Sequence, residues 1–273
     1  MAVRMKRVSI LDPLEGRLSA TRRLHLLLFA PLPVTPECRQ ATPVHDYVFG
    51  RSLDAPGAPV NRAGMAQYFV IHPTHPQQRL IERAADIVRH GGLVVYPTDS
   101  CYALGCRVGD KEAMERIRAI RQVDAGHHFT LVCRDLSEIA RYARVDNRAY
   151  RLLKAATPGS FTFILRATRE VPRRLQDPHR KTIGLRIPEH TVAQALLAEL
   201  REPLLSSTLI LPGDALPMNE PEEIRTRLEQ QVDLVMDAGS CGIEVTTVVD
   251  LTGEEPELLR LGKGDPSLFG VTA

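Results

Sequence analysis

The sequence predicts an α/β domain in which helices flank a twisted sheet of mixed parallel and antiparallel strands. Three observations lead there. From Gln67 onward, short runs rich in β-branched and aromatic residues alternate with segments whose apolar residues recur at helical spacing. Several strand signals follow one another across turns too short for a helical crossover, which excludes a wholly parallel sheet. The 273 residues, 44% of them hydrophobic, are enough for one large domain with a sizeable core, or for a domain plus an appendage.

Taken in order, "YFVIHP" from Tyr68 reads as a strand. "PQQRLIERAADIVRHGG" reads as a helix, because Leu80, Ile81, Ala84, Ile87 and Val88 fall on one face and Gly91 and Gly92 stop it. "LVVYPT" is the next strand, ended by Pro97, which cannot continue a central ladder. In "DKEAMERIRAIRQV" the residues Ala113, Met114, Ile117 and Ile120 form the buried stripe of a second helix. "FTLVCRD" and "FTFILRA" are strands separated by the helical "NRAYRLLKAA" and the turn "TPGS". "TIGLRIP", "PLLSSTLIL", "VDLVMDAG", "TTVVDL" and "ELLRLG" supply further strands, with helices at Thr191 to Leu200 and Pro221 to Gln230.

Residues 1 to 64 differ from the rest of the chain. Their Arg-rich start and scattered prolines, Pro13, Pro31, Pro33, Pro36, Pro43, Pro56 and Pro59 among them, break any long period, so they read as a poorly ordered extension ahead of a domain spanning 65 to 273. Met65 is a candidate start in its own right. The longest apolar run, Leu26 to Val34, contains two prolines and is far shorter than the roughly 20 residues that cross a bilayer. A basic opening followed by "LHLLLFAPLPV" mimics a targeting signal but lacks a small-residue cleavage site. The net charge of +2 makes no argument for a nucleic-acid partner, although a local basic face is compatible with it. Five cysteines with no CxxC pair fit a reducing cytoplasm better than a disulfide framework, and no histidine spacing marks a metal site.

The polar residues collect at strand ends. Beyond Pro97, the stretch "TDSCY" crowds Thr98, Asp99, Ser100 and Tyr102 into one loop, where loops of α/β sheets often hold ligands. The alternative is a turn whose hydroxyls satisfy its own backbone. Ser160 and Thr162 in "PGSFTFIL", the hydroxyl pairs of "LLSSTL" and "VTTVVDL", and Arg186 in the apolar strand "GLRIP" share this character. A strand arginine is costly to bury unpaired, so Arg186 must meet a carboxylate or serve an anionic ligand. Together these segments predict a polar cavity on one sheet.

From about Tyr68 to Gly264 the chain resembles the YrdC-like family of threonylcarbamoyl-adenylate synthases, and most closely its YciO-like branch. The family pattern of a strand, Pro-Thr-Glu-Thr and then Tyr-Gly-Leu-Gly is met by Pro97, Thr98, Asp99, Ser100, Tyr102, Ala103, Leu104 and Gly105. "PGSFTFIL", "TIGLRIP", "TTVVDL" and "LLRLG" match further family segments in the same order. The resemblance implies a YrdC-like sheet and an enzyme that joins threonine, bicarbonate and ATP into threonylcarbamoyl-adenylate, with Mg²⁺ implied by the ATP chemistry and its ligands unidentified. The product's threonylcarbamoyl group then goes to transfer RNA. By position in the pattern, Thr98 and Ser100 would hold the amino acid, with Tyr102 and Thr162 shaping the pocket. Arg186, Ser207, Thr208, Thr246, Thr247 and Arg260 would lie along the nucleotide, and Arg121 would be the catalytic cation. Two motifs depart from the pattern. The family's Lys-x-Arg falls on Arg121, Gln122 and Val123, and its Ser-x-Asn on Thr208, Leu209 and Ile210. His127, His128, Arg134, Arg116 and Arg118 are candidate compensating cations, or else a solvated face. A double-stranded RNA- or nucleotide-binding paralogue with weak or different chemistry is the second reading.

Overall fold

The computed structural model describes residues 64–124 and 126–270, so the extension expected over residues 1–64 lies, except for Gly64, outside the described residues. The chain order is β1 (Gln67–Val70), α1 (Gln78–Arg89), β2 (Val94–Tyr96), β3 (Ala103–Arg107), α2 (Lys111–Arg121), β4 (Thr130–Val132), α3 (Leu136–Tyr142), α4 (Asn147–Ala156), β5 (Phe161–Arg166), β6 (Thr182–Arg186), α5 (Thr191–Leu200), β7 (Leu204–Thr208), α6 (Pro221–Leu228), β8 (Leu234–Asp237), β9 (Thr247–Asp250) and β10 (Glu257–Arg260). Local chemistry sets several of these boundaries. Asp110, Asp135 and Asp146 each accept a backbone N–H of the first turn, from Ala113, Glu138 and Ala149, and so cap α2, α3 and α4.

All ten strands join one sheet in the order β1-β8-β2-β3-β7-β4-β6-β5-β9-β10. Pairs β1/β8, β8/β2, β4/β6 and β5/β9 are parallel and the remaining neighbours antiparallel, which is the mixed sheet expected. Two elements were not legible in the sequence. β3 begins inside the polar loop motif and contains Gly105, whose close approach to Leu204 and Tyr96 leaves no room for a side chain. α3 is too short to develop a helical period.

Strand alternation sorts the apolar side chains into two layers. On one face Ile81, Ala84 and Val88 of α1 and Val192, Leu196 and Leu200 of α5 pack over Val94, Tyr96, Leu204, Leu234 and Met236. On the other, Ile117 of α2, Leu153 of α4 and Ile224 of α6 pack with Leu104, Leu131, Phe163, Leu185 and Val235. No residue of β5, β6 or β9 belongs to the layer under α1 and α5. Because Phe163 and Leu185 pair and face the opposite layer, their neighbours Thr162 and Arg186 turn to this incompletely covered face. The fold thus leaves a polar region beside one of its two cores. No helix among the described residues is long and apolar enough to cross a membrane.

Candidate functional site

The loop from Pro97 to Tyr102 reaches this region by folding back over the sheet. In the ladder Arg186 is level with Val132, Leu204 and Arg107, whereas Tyr96 is level with Ala103 and Thr208. Those rows lie four residues apart along β3, about 13 Å at the usual rise of a strand. The long Arg186 side chain and the returning loop close that gap.

Within the loop, the Thr98 hydroxyl donates to the Cys101 carbonyl at 2.6 Å and accepts the Ser100 and Cys101 N–H groups, each at 3.2 Å. Its chief work is to fix the turn, as the alternative reading of such loops expected. Ser100 Oγ lies 3.0 Å from Thr98 Oγ1 and accepts from Arg186 Nη1 at 3.2 Å. Asp99 is engaged on both carboxylate oxygens, accepting from Arg186 Nη2 at 2.6 Å and from Ser160 Oγ at 2.5 Å. Its backbone carbonyl accepts from Lys263 Nζ. The Arg186 and Asp99 side chains are only 9% and 8% exposed, and Arg186 Nε is buried with no partner. An unmatched N–H on a buried guanidinium is unfavourable unless a ligand acceptor completes it.

Neighbouring segments lock this loop in place. A side chain at Gly242 would meet the Ser100 carbonyl at 2.6 Å, so the backbone there sits directly against the loop. Tyr102 donates to the Gly239 carbonyl at 2.8 Å and accepts from Ala238 N–H at 3.3 Å. Burial pushes its phenol far above the ordinary range. Tyr102 is fully buried and ties the end of the loop to the Ala238–Gly239 backbone.

A second group contains Thr162, Thr246 and Arg260. The two threonine hydroxyls are 2.8 Å apart, and Arg260 donates to the Thr246 carbonyl at 3.0 and 3.2 Å and to its hydroxyl at 3.2 Å. Thr247 points the other way: fully buried, it donates to the Gly264 carbonyl at 2.6 Å and accepts Gly262 N–H at 2.9 Å, which anchors the chain after β10.

Arg121, Ser207 and His127 form a third. Arg121 Nη1 lies 2.5 Å from Ser207 Oγ and 3.1 Å from His127 Nε2, which is itself 3.0 Å from Ser207 Oγ. Arg121 Nε also reaches the Ile210 carbonyl at 3.5 Å. Thr208, half-buried, pairs with Ala103 across the ladder. Burial draws both Arg121 and Arg260 below the usual guanidinium range, and the charge of Arg260 depresses Arg121 further. The Cys101 thiol is raised, first by burial, while the charges of Arg186 and Arg260 oppose the rise.

Sequence reasoning missed the partners more than the principals. Lys263 and the role of Ser160 as a carboxylate donor carried no local signal. Neither did His190, at the start of α5, whose Nδ1 is buried without a partner and whose basicity is lowered by burial and raised by Asp99. Among the described residues no group of three or more His, Cys, Asp or Glu side chains is gathered for a metal ion. The residues present do not make a protein cage for Mg²⁺. Chemically, the arrangement offers buried hydroxyls and a guanidinium N–H to a small polar ligand, and further cations to an adjoining anion.

The chain is similar to three groups of known proteins. The Sua5/YciO/YrdC family model, described as "Telomere recombination", matches residues 86–262. The chain is 58% identical over 205 residues to a protein of Escherichia coli (strain K12) named YciO, covering 75% of this chain and all of that one. The E. coli YciO crystal structure superposes with a TM-score of 0.73 at 57% identity, again over 75% and 100% of the two chains. A threonylcarbamoyl-AMP synthase of Chromobacterium violaceum is 36% identical over 137 residues, which is 50% of this chain and 70% of that protein. The structure of Sua5 from P. abyssi complexed with L-threonine matches with a TM-score of 0.66 at 25% identity, covering 71% of this chain and 57% of that one.

Proposed function

The chain belongs to the Sua5/YciO/YrdC family, and on that premise we propose that it forms threonylcarbamoyl-adenylate from threonine, bicarbonate and ATP. The carrying observation is the Thr98–Ser100 loop locked against Arg186, a buried cation with one unmatched N–H. Relatives bearing the synthase name at 36% and 28% identity, and the threonine recorded in the P. abyssi structure, support the same reading. Threonine's amine and bicarbonate give a carbamate with loss of water. A carbamate oxygen attacks the α-phosphorus of ATP, and the bond to the bridging oxygen breaks as pyrophosphate leaves. Little covalent chemistry is asked of the protein, so positioning and charge stabilisation dominate. Ser100 takes the amino acid together with Arg186, which was expected along the nucleotide but is bonded to the Ser100 loop, with Thr98 setting the loop and Tyr102 and Thr162 the walls. Arg121, Arg260, Ser207, Thr208 and Thr246 lie along the nucleotide, and Thr247 supports the segment that carries them. Mg²⁺ arrives with the triphosphate as part of the substrate. On this reading the protein works in the cytoplasm, and transfer RNA is the downstream acceptor.

The test is to incubate the protein with ATP, threonine, bicarbonate and Mg²⁺ and to assay threonylcarbamoyl-adenylate by mass spectrometry. Threonine-dependent product at catalytic turnover is expected, and its absence from folded protein would overturn the reading. A double-stranded RNA-binding role is favoured by a different observation. Arg144 and Arg166 are joined by a backbone hydrogen bond of 2.8 Å, both are exposed, and neither has a side-chain partner among the described residues. Like charges placed side by side destabilise a ladder unless an anion joins them. Double-stranded RNA binding that weakens with salt, without adenylate formation, is the outcome this reading expects.

A further inference from the structure

Three groups at the α2–β4 connection hydrogen-bond to one another in a closed triangle: Arg121 Nη1, Ser207 Oγ and His127 Nε2, with sides of 2.5, 3.0 and 3.1 Å. Arg121 is a donor only, and a hydroxyl has one proton. The triangle closes only if His127 Nε2 carries a lone pair. The imidazole is then neutral, with its proton on Nδ1. Adding a proton at Nε2 would set two cationic donors, Arg121 Nη1 and His127 Nε2, against each other at 3.1 Å with only the Ser207 oxygen left to accept from both. An oxyanion placed among the three reverses this, since guanidinium, hydroxyl and imidazolium would all donate to it.

We propose that Arg121, Ser207 and His127 form a proton-coupled site for a phosphate group, at which His127 takes up one proton as the anion binds. This deepens the nucleotide reading above and rests on it for the phosphate's identity. The surroundings fit an anion. Facing His127 are Arg118 and Arg121 from α2, His128 and the single carboxylate Asp124 from its own loop, the Phe129 ring edge-on at 5.3 Å, and Ser207 from β7. Asp124 is exposed and already accepts Gly126 N–H at 2.9 Å. An open depression of about 550 Å³, bordered by Gln122, Val123, Asp124, Gly126, His127 and His128, gives access from solvent. Burial first, then Arg121, His128 and Arg118, hold the free imidazole down to about 4, which agrees with the neutral form the geometry demands.

Linkage fixes the sign. Between the anion-free and anion-bound titration points, each proton taken up strengthens binding as pH falls, with a ceiling of about tenfold per pH unit. Sulfate is a suitable probe because its own charge does not change across this range. The full chain would be titrated with sodium sulfate at pH 7.5, 6.5 and 5.5 at constant ionic strength, with the imidazole ¹⁵N resonances followed by NMR. His127 should pass from neutral to doubly protonated at saturation, and affinity should rise about fivefold or more per unit of acidification. His127→Gln should abolish that slope, and His128→Gln should leave it. A His127 ring that stays neutral at saturating sulfate, a slope that survives His127→Gln, or no perturbation of the triangle by sulfate would each overturn the proposal. The wild-type resonances give the answer even if the variant folds poorly. Sulfate is not a substrate, so the result stands apart from whether the protein makes an adenylate.

Discussion

Both oxygens of the Asp99 carboxylate are engaged, one by Arg186 and the other by Ser160, in surroundings that admit little water. The pair's worth lies less in its attraction than in the cost of leaving either member alone. Asp99→Asn keeps the shape and removes the charge, stranding the Arg186 guanidinium. We expect it to lower stability by about 3 kcal/mol, read from urea midpoints at pH 7.5. Asp99→Glu, which preserves the charge, should recover much of that loss. A loss no larger than an exposed aspartate gives would mean the pair is open to water. Part of this was legible in the sequence. A lone arginine in the apolar strand "GLRIP" had to meet a carboxylate or an anion, and Arg186 meets the first while keeping one N–H for the second. Which carboxylate it would meet was not legible, because Asp99 is 87 positions away and not level with it in the ladder.

At the scale of the elements, agreement was best where apolar period and capping chemistry coincide. The stripe Ala113, Met114, Ile117 and Ile120 is the buried face of α2, and "NRAYRLLKAA" is α4 residue for residue. The short β3 and α3 carried too few residues for a period to emerge. Of the segment from Ala238 to Gly242 only Ala238 and Gly239 were read, as the end of a strand, yet the segment holds the polar loop through the Tyr102 phenol and through the close backbone approach of Gly242 to Ser100, for which apolar pattern gives no sign. Gly242 is the sensitive point. In Gly242→Ala the new methyl group would press on the Ser100 carbonyl at 2.6 Å, and one of the two segments must move. We expect a stability loss of about 1 to 3 kcal/mol and a larger proportional loss in threonine affinity than in ATP affinity, measured by calorimetric titration of each ligand. Equal losses for both would mean that the loop does not serve the amino acid.

For the molecule as a whole, the buried titratable groups set how it responds to acid. His127 is held neutral down to about 4, and burial also lowers His190, opposed by Asp99. The unfolded chain takes up these protons from about pH 6.5 downward while the folded chain does not, so stability falls over that interval. Burial works to raise Asp250, yet its bonds from Thr252 and Arg180 leave it below the carboxylate range, and backbone N–H bonds, led by that of Glu138, do the same for Asp135. Their contribution is present above about pH 4 and lost below it. Glu138, pushed up by burial, acts in the opposite sense. Urea midpoints from pH 7.5 to 3 should therefore show a gentle decline beginning near neutrality and a steep one below about pH 4. His127→Gln should make the first shallower, leaving the share of His190, and leave the second unchanged. At the outer strand of the described sheet, Leu258 opposes Val249 and Arg260 opposes Val248, so Leu259 is an extra residue in the ladder. With regular pairing Leu259 would oppose Val248 and Arg260 would oppose Thr247, on the core side. One surplus residue thus shifts the phase of the strand and turns a cation toward the site, while spoiling the regular hydrogen-bonding rim that another chain would need for strand addition. Deleting Leu259 should leave Arg260 opposite Val248 and ligand affinity intact, yet create a straight rim; concentration-dependent self-association in light scattering is the expected outcome, and a strictly monodisperse deletion variant would show that something else guards that rim.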